Sequence, residues 1–355
     1  MEAGLSAAML EALGQVAPGQ PLRAGVDRVL QASMGALIVV GDGPEVLAIC
    51  SGGFLVDADF SPQRLSELAK MDGAIILASD ASRIARANVH LVPSPDVPTS
   101  ETGTRHRTAE RVARSVDVPV ISVSEDMGVI AVYRDQQKHP LEATPRLLNR
   151  ANQALQTLER YKSRLDAVSG GLNALEVEDL VAVRDVGTVL QRAEMVRRIA
   201  EEIEGYIVEM GSDGRLIRLQ IEELMGGVDD DRRLVISDYF CASETCLDDA
   251  IEHLCNLSYD ELLDPNAIAA VLRLPAGTEL DGHVQPRGYR LLRKVPRMPP
   301  GVIEGLVARF GDLQKIMRAT VADLEGIDGI DTRRAESIKE GLSRLAEASI
   351  LDRYS

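Results

Sequence analysis

Apolar positions change their period along the chain, and the changes divide it. Leu5 to Val16 and Leu22 to Met34 carry apolar residues at helical spacing. Short β-branched runs follow, and each predicts a strand: Ala36–Val40, Val46–Ile49, Ala74–Leu77, Val89–Val92, Val118–Val123 and Val129–Tyr133. The last two are joined by a turn at Asp126-Met127-Gly128. Ser61-Pro62, followed by Leu65, Leu68 and Ala69, predicts a capped helix with proline in its first turn. Helices alternating with strands predict an α/β domain, a mixed sheet flanked by helices. His139-Pro140 and Thr144-Pro145 mark its end, which sets a first domain at residues 1–142.

From Arg146 the period is helical throughout. Leu148, Ala151, Leu155, Leu158 and Leu165 recur at steps of three, four, three and seven, predicting a long amphipathic helix that Gly170-Gly171 should break. Val181 to Met210 and Leu216 to Met225 continue the helical reading, and Gly226-Gly227 interrupts it again. Asp229-Asp230-Asp231 reads as a solvated helix start, with acids near the positive end of the dipole, rather than as a metal cluster. Residues 143–285 therefore predict an all-α spacer, and residues 286–355 a small helical domain.

Charge sharpens that last boundary. The chain of 355 residues carries a formal charge of −16. From Pro286 onward there are thirteen Lys or Arg against ten Asp or Glu, so the tail is +3 and the remainder −19. An acidic body excludes a protein that coats nucleic acid with its whole surface, but a basic end module fits an attached nucleic-acid reader. No apolar run is long enough to span a bilayer. Met1-Glu2-Ala3-Gly4 lacks the basic start of a signal peptide, so a cytoplasmic chain beginning here is expected. Cys50, Cys241, Cys246 and Cys255 form no Cys-x-x-Cys pair, and Cys246, His253 and Cys255 match no common zinc spacing; reduced thiols are expected.

Candidate chemistry lies in two places within the first domain. Thr104-Arg105-His106-Arg107-Thr108 follows Gly103 and precedes Ala109, Val112, Ala113 and Val116 at helical spacing. This predicts a cationic loop opening a helix, with Thr108 as N-cap. Free N–H groups, the helix dipole and the planar fork of Arg all favour a phosphate chain, although a solvated basic loop is the bland alternative. Asp72-Gly73-Ala74 falls on a tight junction between the capped helix and the next strand. A carboxylate there can hold Mg²⁺ or Mn²⁺, or orient an attacking hydroxyl, as phosphoryl transfer requires.

In order, Gly35-Ala36-Leu37-Ile38-Val39-Val40-Gly41, Asp72-Gly73-Ala74, Thr104 to Thr108 and Val120-Ile121-Ser122-Val123-Ser124-Glu125 resemble the diadenylate cyclase domain family. The whole chain resembles the DNA-integrity-scanning branch of that family. The resemblance implies that two ATP are joined into cyclic di-AMP with release of two pyrophosphates. It implies Asp72, Arg105, His106 and Arg107 as catalytic residues, with Asp72 holding the metal. Gly73, Ala74, Leu91, Thr104, Arg105, His106, Arg107, Thr108 and Ser124 would contact ATP. It further implies a homo-oligomer, an octamer with cyclase domains face to face. The alternative is a DNA-structure sensor whose site binds ATP without turning it over; the intact motif pair favours the enzyme.

The tail carries a second resemblance. Phe310-Gly311-Asp312-Leu313, Ala322-Asp323-Leu324, Ile327, Gly329-Ile330-Asp331, Ala335 and Ile338 resemble a helix-hairpin-helix unit. Val295-Pro296-Arg297-Met298-Pro299-Pro300-Gly301-Val302-Ile303 resembles a degenerate first copy. Gly329, Ile330, Arg333, Arg334 and Lys339 are the expected contacts to DNA phosphates. Asp331 departs from the pattern, since a second glycine is common there and an acid repels phosphate. Branched DNA or recombination intermediates are the implied partners, in a cytoplasmic, nucleoid-associated protein, and a small helical protein-docking module is the alternative.

Overall fold

The computed structural model describes residues 5–125, 128–240, 247–274 and 278–354. They fold as two compact units, one of Met1–Ala154 with Glu201–Gln220, the other of Leu155–Ala200 with Ile221–Ser355.

The first unit is built on a mixed sheet. Its strands are β1 (Ala36–Val40), β2 (Cys50–Ser51), β3 (Phe54–Asp59), β4 (Ala74–Leu77), β5 (Arg83–Leu91), β6 (Val120–Ser124), β7 (Val129–Arg134) and β8 (Gln137–Pro140). They run in the order β2-β5-β4-β1-β6-β7-β8, with β3 also on β5. Among the described residues only β1 and β4 pair in parallel; every other strand pairing is antiparallel. The helices are α1 (Ala7–Gln15), α2 (Pro21–Gln31), α3 (Pro44–Ala48), α4 (Pro62–Leu68) and α5 (Thr104–Ser115).

Alternation along β1 makes two cores. Ala36, Ile38 and Val40 pack with Met9 and Leu13 of α1, Val26 and Val29 of α2 and Leu65 of α4. Leu37 and Val39 point the other way, onto Ala109, Val112 and Ala113 of α5. Each Val, Leu or Ile among them contributes about 1.5–3 kcal/mol on burial, and a one-residue slip of β1 would exchange both faces at once. The capped helix forms as expected: Ser61 accepts from Arg64 N, with Pro62 in the first turn.

Three expectations fail locally. Val46–Ile49 is not a strand; Gly43-Pro44 starts α3, with Glu45 in its first turn and Val46 as its buried residue. A short apolar run fits either element, and proline at the first helical position decided it. β3 was not expected because its Phe54 and Leu55 are exposed at 60% and 70%, so it shows little burial pattern. Gly170-Gly171 does not break the long helix α6 (Thr144–Glu178). Neither glycine has positive φ. The cost of about 1 kcal/mol for each glycine is offset by neighbours such as buried Leu165, Leu172 and Ala174. In the Asp126-Met127-Gly128 turn, Asp126 and Met127 lie outside the described residues.

Helices continue with α7 (Val183–Met210), α8 (Arg215–Met225) and α9 (Val228–Tyr239). Gly227, at φ +78, starts α9, and Asp229, Asp230 and Asp231 occupy its first turn as expected. Then come α10 (Leu247–Asn256), α11 (Tyr259–Leu263), α12 (Pro265–Val271), α13 (Tyr289–Lys294), α14 (Pro300–Phe310), α15 (Leu313–Arg318), α16 (Val321–Glu325) and α17 (Thr332–Tyr354). The second unit has a polar centre. Arg290, 2% exposed, grips Glu176 through Nε at 3.1 Å and Nη2 at 2.7 Å, and Tyr239 donates to Glu176 at 2.7 Å. Asp238 accepts the backbone N–H groups of Gly288, Tyr289 and Arg290.

Candidate functional site

Helix α5 starts at Thr104, so the cationic cluster forms its first turn instead of a preceding loop. Gly103 is the N-cap and offers no side-chain acceptor. The earliest N–H groups of the helix are therefore left open, as at any uncapped start. Thr108 is not the cap; its Oγ1 donates to Thr104 O at 3.0 Å, one turn inside. Arg105 lies half-buried against Gly35, where a Cβ would come 2.6 Å from its Cζ and closer still to Nη1. Arg107 is exposed. Neither arginine is paired with a carboxylate among the described residues.

His106 faces inward. Its Nδ1 lies 3.0 Å from Tyr133 Oη and 3.0 Å from Ser122 Oγ. Burial pushes the imidazole below its ordinary pKa; Glu101 opposes this, while Lys138 and Arg105 reinforce it. Burial and Glu101 push the Tyr133 phenol well above its ordinary value. The loop before α5 is strapped to that helix. Glu110 accepts from Thr99 Oγ1 at 2.5 Å and Ser100 N at 2.9 Å, while Arg111 and Arg114 donate to Val97 O and Pro98 O. Burial raises the Glu110 carboxyl, but these hydrogen bonds and Arg114 outweigh it and hold the group below its usual range.

The Asp72-Gly73 turn reaches the same end of the sheet. Gly73 has φ +96, and a Cβ there would meet Val89 O at 2.9 Å, so conformation and space both require glycine. Asp72 is exposed, and its Oδ1 accepts from Gly73 N at 2.9 Å. Leu37 pairs with Ala74, so one step and two steps back along the ladder Gly73 falls beside Ala36 and Asp72 beside Gly35. Ala36 pairs with Val123, which puts Ser124 beside Gly35 from the other side. Gly35 in turn carries the Arg105 guanidinium. One end of β4, β1 and β6 thus collects Asp72, Gly73, Ser124 and the start of α5. Ala74 and Leu91 lie in the floor, buried in the core beneath α5. Period two also puts Ser122 and Ser124 on the face that α5 covers.

Sequence reading quoted Gly35, Ser122 and Tyr133 within longer runs without giving them a role, and did not single out Glu101 or Lys138. A serine in the middle of the apolar run Val120–Val123 was the available signal for one of them. No group of three or more His, Cys, Asp or Glu placed to hold a metal occurs among the described residues. Cys241 and Cys246 lie outside them.

Two family descriptions match the chain. "DisA bacterial checkpoint controller nucleotide-binding" matches residues 23–138, and "DisA bacterial checkpoint controller linker region" matches residues 141–281. Proteins named DNA integrity scanning protein DisA match nearly end to end. The one from Frankia alni is 55% identical over 345 residues, covering 96% of each chain. That from Acidothermus cellulolyticus is 54% identical over 346 residues, covering 96% of this chain and 94% of its own. That from Streptomyces coelicolor is 53% identical over 357 residues, covering 99% and 96%. This chain belongs to the DisA family.

In this DisA-family chain the tail contains two pairs of helices joined by short hairpins. Val295 to Pro299 joins α13 to α14, and Gly326 to Asp331 joins α16 to α17. Arg297 at φ +62 and Gly329 at φ +80 each stand three residues before the following helix. Each is followed by a buried apolar residue, Met298 or Ile330. Asp331 serves the fold, since its Oδ1 accepts from Arg334 N at 2.8 Å and so caps α17. Arg334 also donates to Gly329 O and so braces this connection, while Lys339 donates to Met317 O at 2.6 Å and ties α17 to α15. Gly329 and Arg333 are exposed, and Arg297, not singled out as a contact from sequence, is exposed as well. No helix among the described residues is long and apolar enough to cross a membrane.

Proposed function

We propose that the chain joins two ATP into cyclic di-AMP, releasing two pyrophosphates, and that its tail couples this output to branched DNA or recombination intermediates. One observation carries the reading. The exposed Asp72 carboxylate, the open start of α5 and two arginines without carboxylate partners among the described residues meet at one end of the sheet. Phosphate oxygens are what such donors bind, and the matched nucleotide-binding region contains every one of these residues.

Thr104, Arg105, His106, Arg107 and Thr108 would hold the triphosphate. Arg105 and Arg107 would stabilise charge that grows as pyrophosphate leaves. Gly73, Ala74, Leu91 and Ser124 would line the rest of the nucleotide. Asp72 keeps Oδ2 free of hydrogen bonds in the described structure, and one carboxylate oxygen with phosphate oxygens and water is a donor set that suits Mg²⁺ or Mn²⁺. The ion, when bound, supplies neutralisation of phosphate charge. One copy of each motif per chain makes half of a two-fold reaction, so two chains meet face to face, and the wider assembly is an octamer. Positioning of the two nucleotides then supplies much of the rate.

We assign the cyclase to residues 1–142, a spacer to 143–285 and DNA binding to 286–355. The paired hairpins support the last assignment as helix-hairpin-helix units, as does the name carried by the relatives. Gly329, Ile330, Arg333, Arg334 and Lys339 would form the footing on phosphates, and branched DNA lowers cyclase output. The site of action is the cytoplasm, at the nucleoid. Incubation of the full chain with ATP and Mg²⁺ or Mn²⁺, followed by chromatography, tests the enzyme half. A sensor that only binds would return ATP unchanged.

A further inference from the structure

Gly170 and Gly171 have no role in the packing of α6 or in the proposed chemistry. They stand inside a helix of 35 residues, preceded by Ser169, and a Cβ at either would meet nothing within 4 Å. Neither has positive φ, so no backbone conformation requires glycine. Alanine would fit at both, and would favour the helix by about 5-fold at each position, or about 30-fold for the pair. Glycines kept beside a serine leave one turn weak, and Gly/Ser pairs are where helices bend. There is room for a bend. A cavity of about 670 Å³ borders Gly170, Gly171 and Leu175 and, on α7, Asp185 and Thr188.

The stretch of α6 from Ser169 onward is held by the tail. Arg290 reaches Ser169 O through Nη1 at 3.4 Å and clasps Glu176 through Nε and Nη2. Lys294 donates to Asn173 Oδ1 at 2.9 Å. Gln314 of α15 donates to Glu176 O at 2.9 Å and Val177 O at 3.1 Å, serving carbonyls that the end of a helix leaves open. Arg290 and Lys294 lie on α13, only six residues long, and the first hairpin with its exposed Arg297 follows at once. The start of α13 is fixed by the three N–H groups that Asp238 accepts. Burial and Glu176 push that carboxyl up to about 7, so losing those donors would leave it uncompensated. The other end of α6 belongs to the first unit, where Leu147 and Ala151 are buried.

We propose that Ser169-Gly170-Gly171 is a hinge in α6, and that branched DNA on the first hairpin favours its bent position through Arg290, Lys294 and Gln314. The inference rests on the reading of the tail as a regulator of the cyclase, and it names the moving part. Straight α6 goes with the active enzyme. A bend re-aims the first turns of the helix against its last, and those first turns belong to the unit that makes the dinucleotide. DNA shifts the balance because it binds the bent position more tightly than the straight one.

A full chain carrying both Gly170→Ala and Gly171→Ala tests the hinge without touching the tail's hold on α6, the hairpins or the nucleotide site. The bent position becomes about 30-fold rarer. Inhibition of cyclic di-AMP synthesis by saturating branched DNA should then be largely lost, with synthesis in the absence of DNA unchanged. DNA still binds, and its affinity falls by at most about 30-fold, because one equilibrium links both effects. Hydrogen exchange reads the same hinge in the wild-type chain, without a variant and without turnover. Branched DNA should speed exchange at the amides of Gly171 to Leu175, and the two alanines should suppress that change. Undiminished inhibition of the alanine variant overturns the inference, as does exchange in this stretch that DNA leaves unchanged or slows. Complete loss of DNA binding by the variant also overturns it, since the glycines would then serve the reader itself. If the wild type makes no cyclic di-AMP, yet DNA speeds the exchange and the alanines suppress it, the enzyme reading falls and the hinge stands. A wild type that binds no branched DNA removes both.

Discussion

Gly35→Ala separates the ligand's needs from those of the fold. The new Cβ would lie 2.6 Å from Arg105 Cζ, against ordinary contact from 3.4 Å, so the guanidinium must retreat by about 0.8 Å or more. The obstacle is the far end of a flexible side chain, and Gly35 does not have positive φ. Stability should therefore change by no more than about 0.5 kcal/mol, and Tm by no more than about 2 °C. The nucleotide fares worse. A charged hydrogen bond contributes about 1.5–3 kcal/mol, so ATP affinity should fall by about 10- to 100-fold. Calorimetric titration with a non-hydrolysable ATP analogue, alongside a thermal melt, measures both quantities. Unchanged affinity with an unchanged melt would refute the assignment of Arg105 to phosphate. A melt lowered by many degrees would mean that Gly35 serves the fold instead.

Gly73→Ala should show the opposite balance: positive φ costs about 1–2 kcal/mol and the approach to Val89 O adds to it, so Tm should fall by several degrees before any effect on ligand is considered. Asp72→Asn, exposed and without ion pairs among the described residues, should leave the melt intact and abolish product; full synthesis by this variant would sink the metal and orientation roles. Glu176→Gln strands the buried Arg290 and should cost about 3–5 kcal/mol in urea unfolding, with part of the loss recovered by adding Arg290→Met. Arg297→Ala and Arg333→Ala should each flatten the slope of log affinity against log salt for branched DNA by about 1, equally across base sequences; sequence-dependent losses would contradict phosphate contact.

The strands that were legible in the sequence are β1, β4, β6 and β7, buried along most of their length, because a run such as Ala36–Val40 has no competing reading beside its turns; of β5 only the end, Val89 to Leu91, was legible. β3 and α3 were not legible: one exposes its apolar residues, and the other is a short apolar run whose outcome Pro44 decides. The candidate site was legible as two motifs, Asp72-Gly73-Ala74 and Thr104 to Thr108. What placed them together was not, because it depends on the parallel register of β1 with β4 and on a guanidinium resting over Gly35. Asp331 reads in the sequence as a charge facing phosphate, and its use as the cap of α17 is visible only with the backbone in place. The tail also looked separable by charge. Arg290 and the N–H groups of Gly288 to Arg290 instead partner Glu176 and Asp238, so cutting before them would leave buried carboxylates without partners.

The central claim is that this chain makes a bond between two ATP molecules. It is met most directly by incubating the full-length protein with an equal mixture of unlabelled and ¹³C-labelled ATP and Mn²⁺, then weighing the dinucleotide by mass spectrometry and counting pyrophosphate. The account predicts cyclic di-AMP in unlabelled, singly labelled and doubly labelled forms, with two pyrophosphates for each ring closed, and none of it from Asp72→Asn. Recovery of intact ATP from the wild-type protein, with nucleotide bound but no pyrophosphate released, would contradict it.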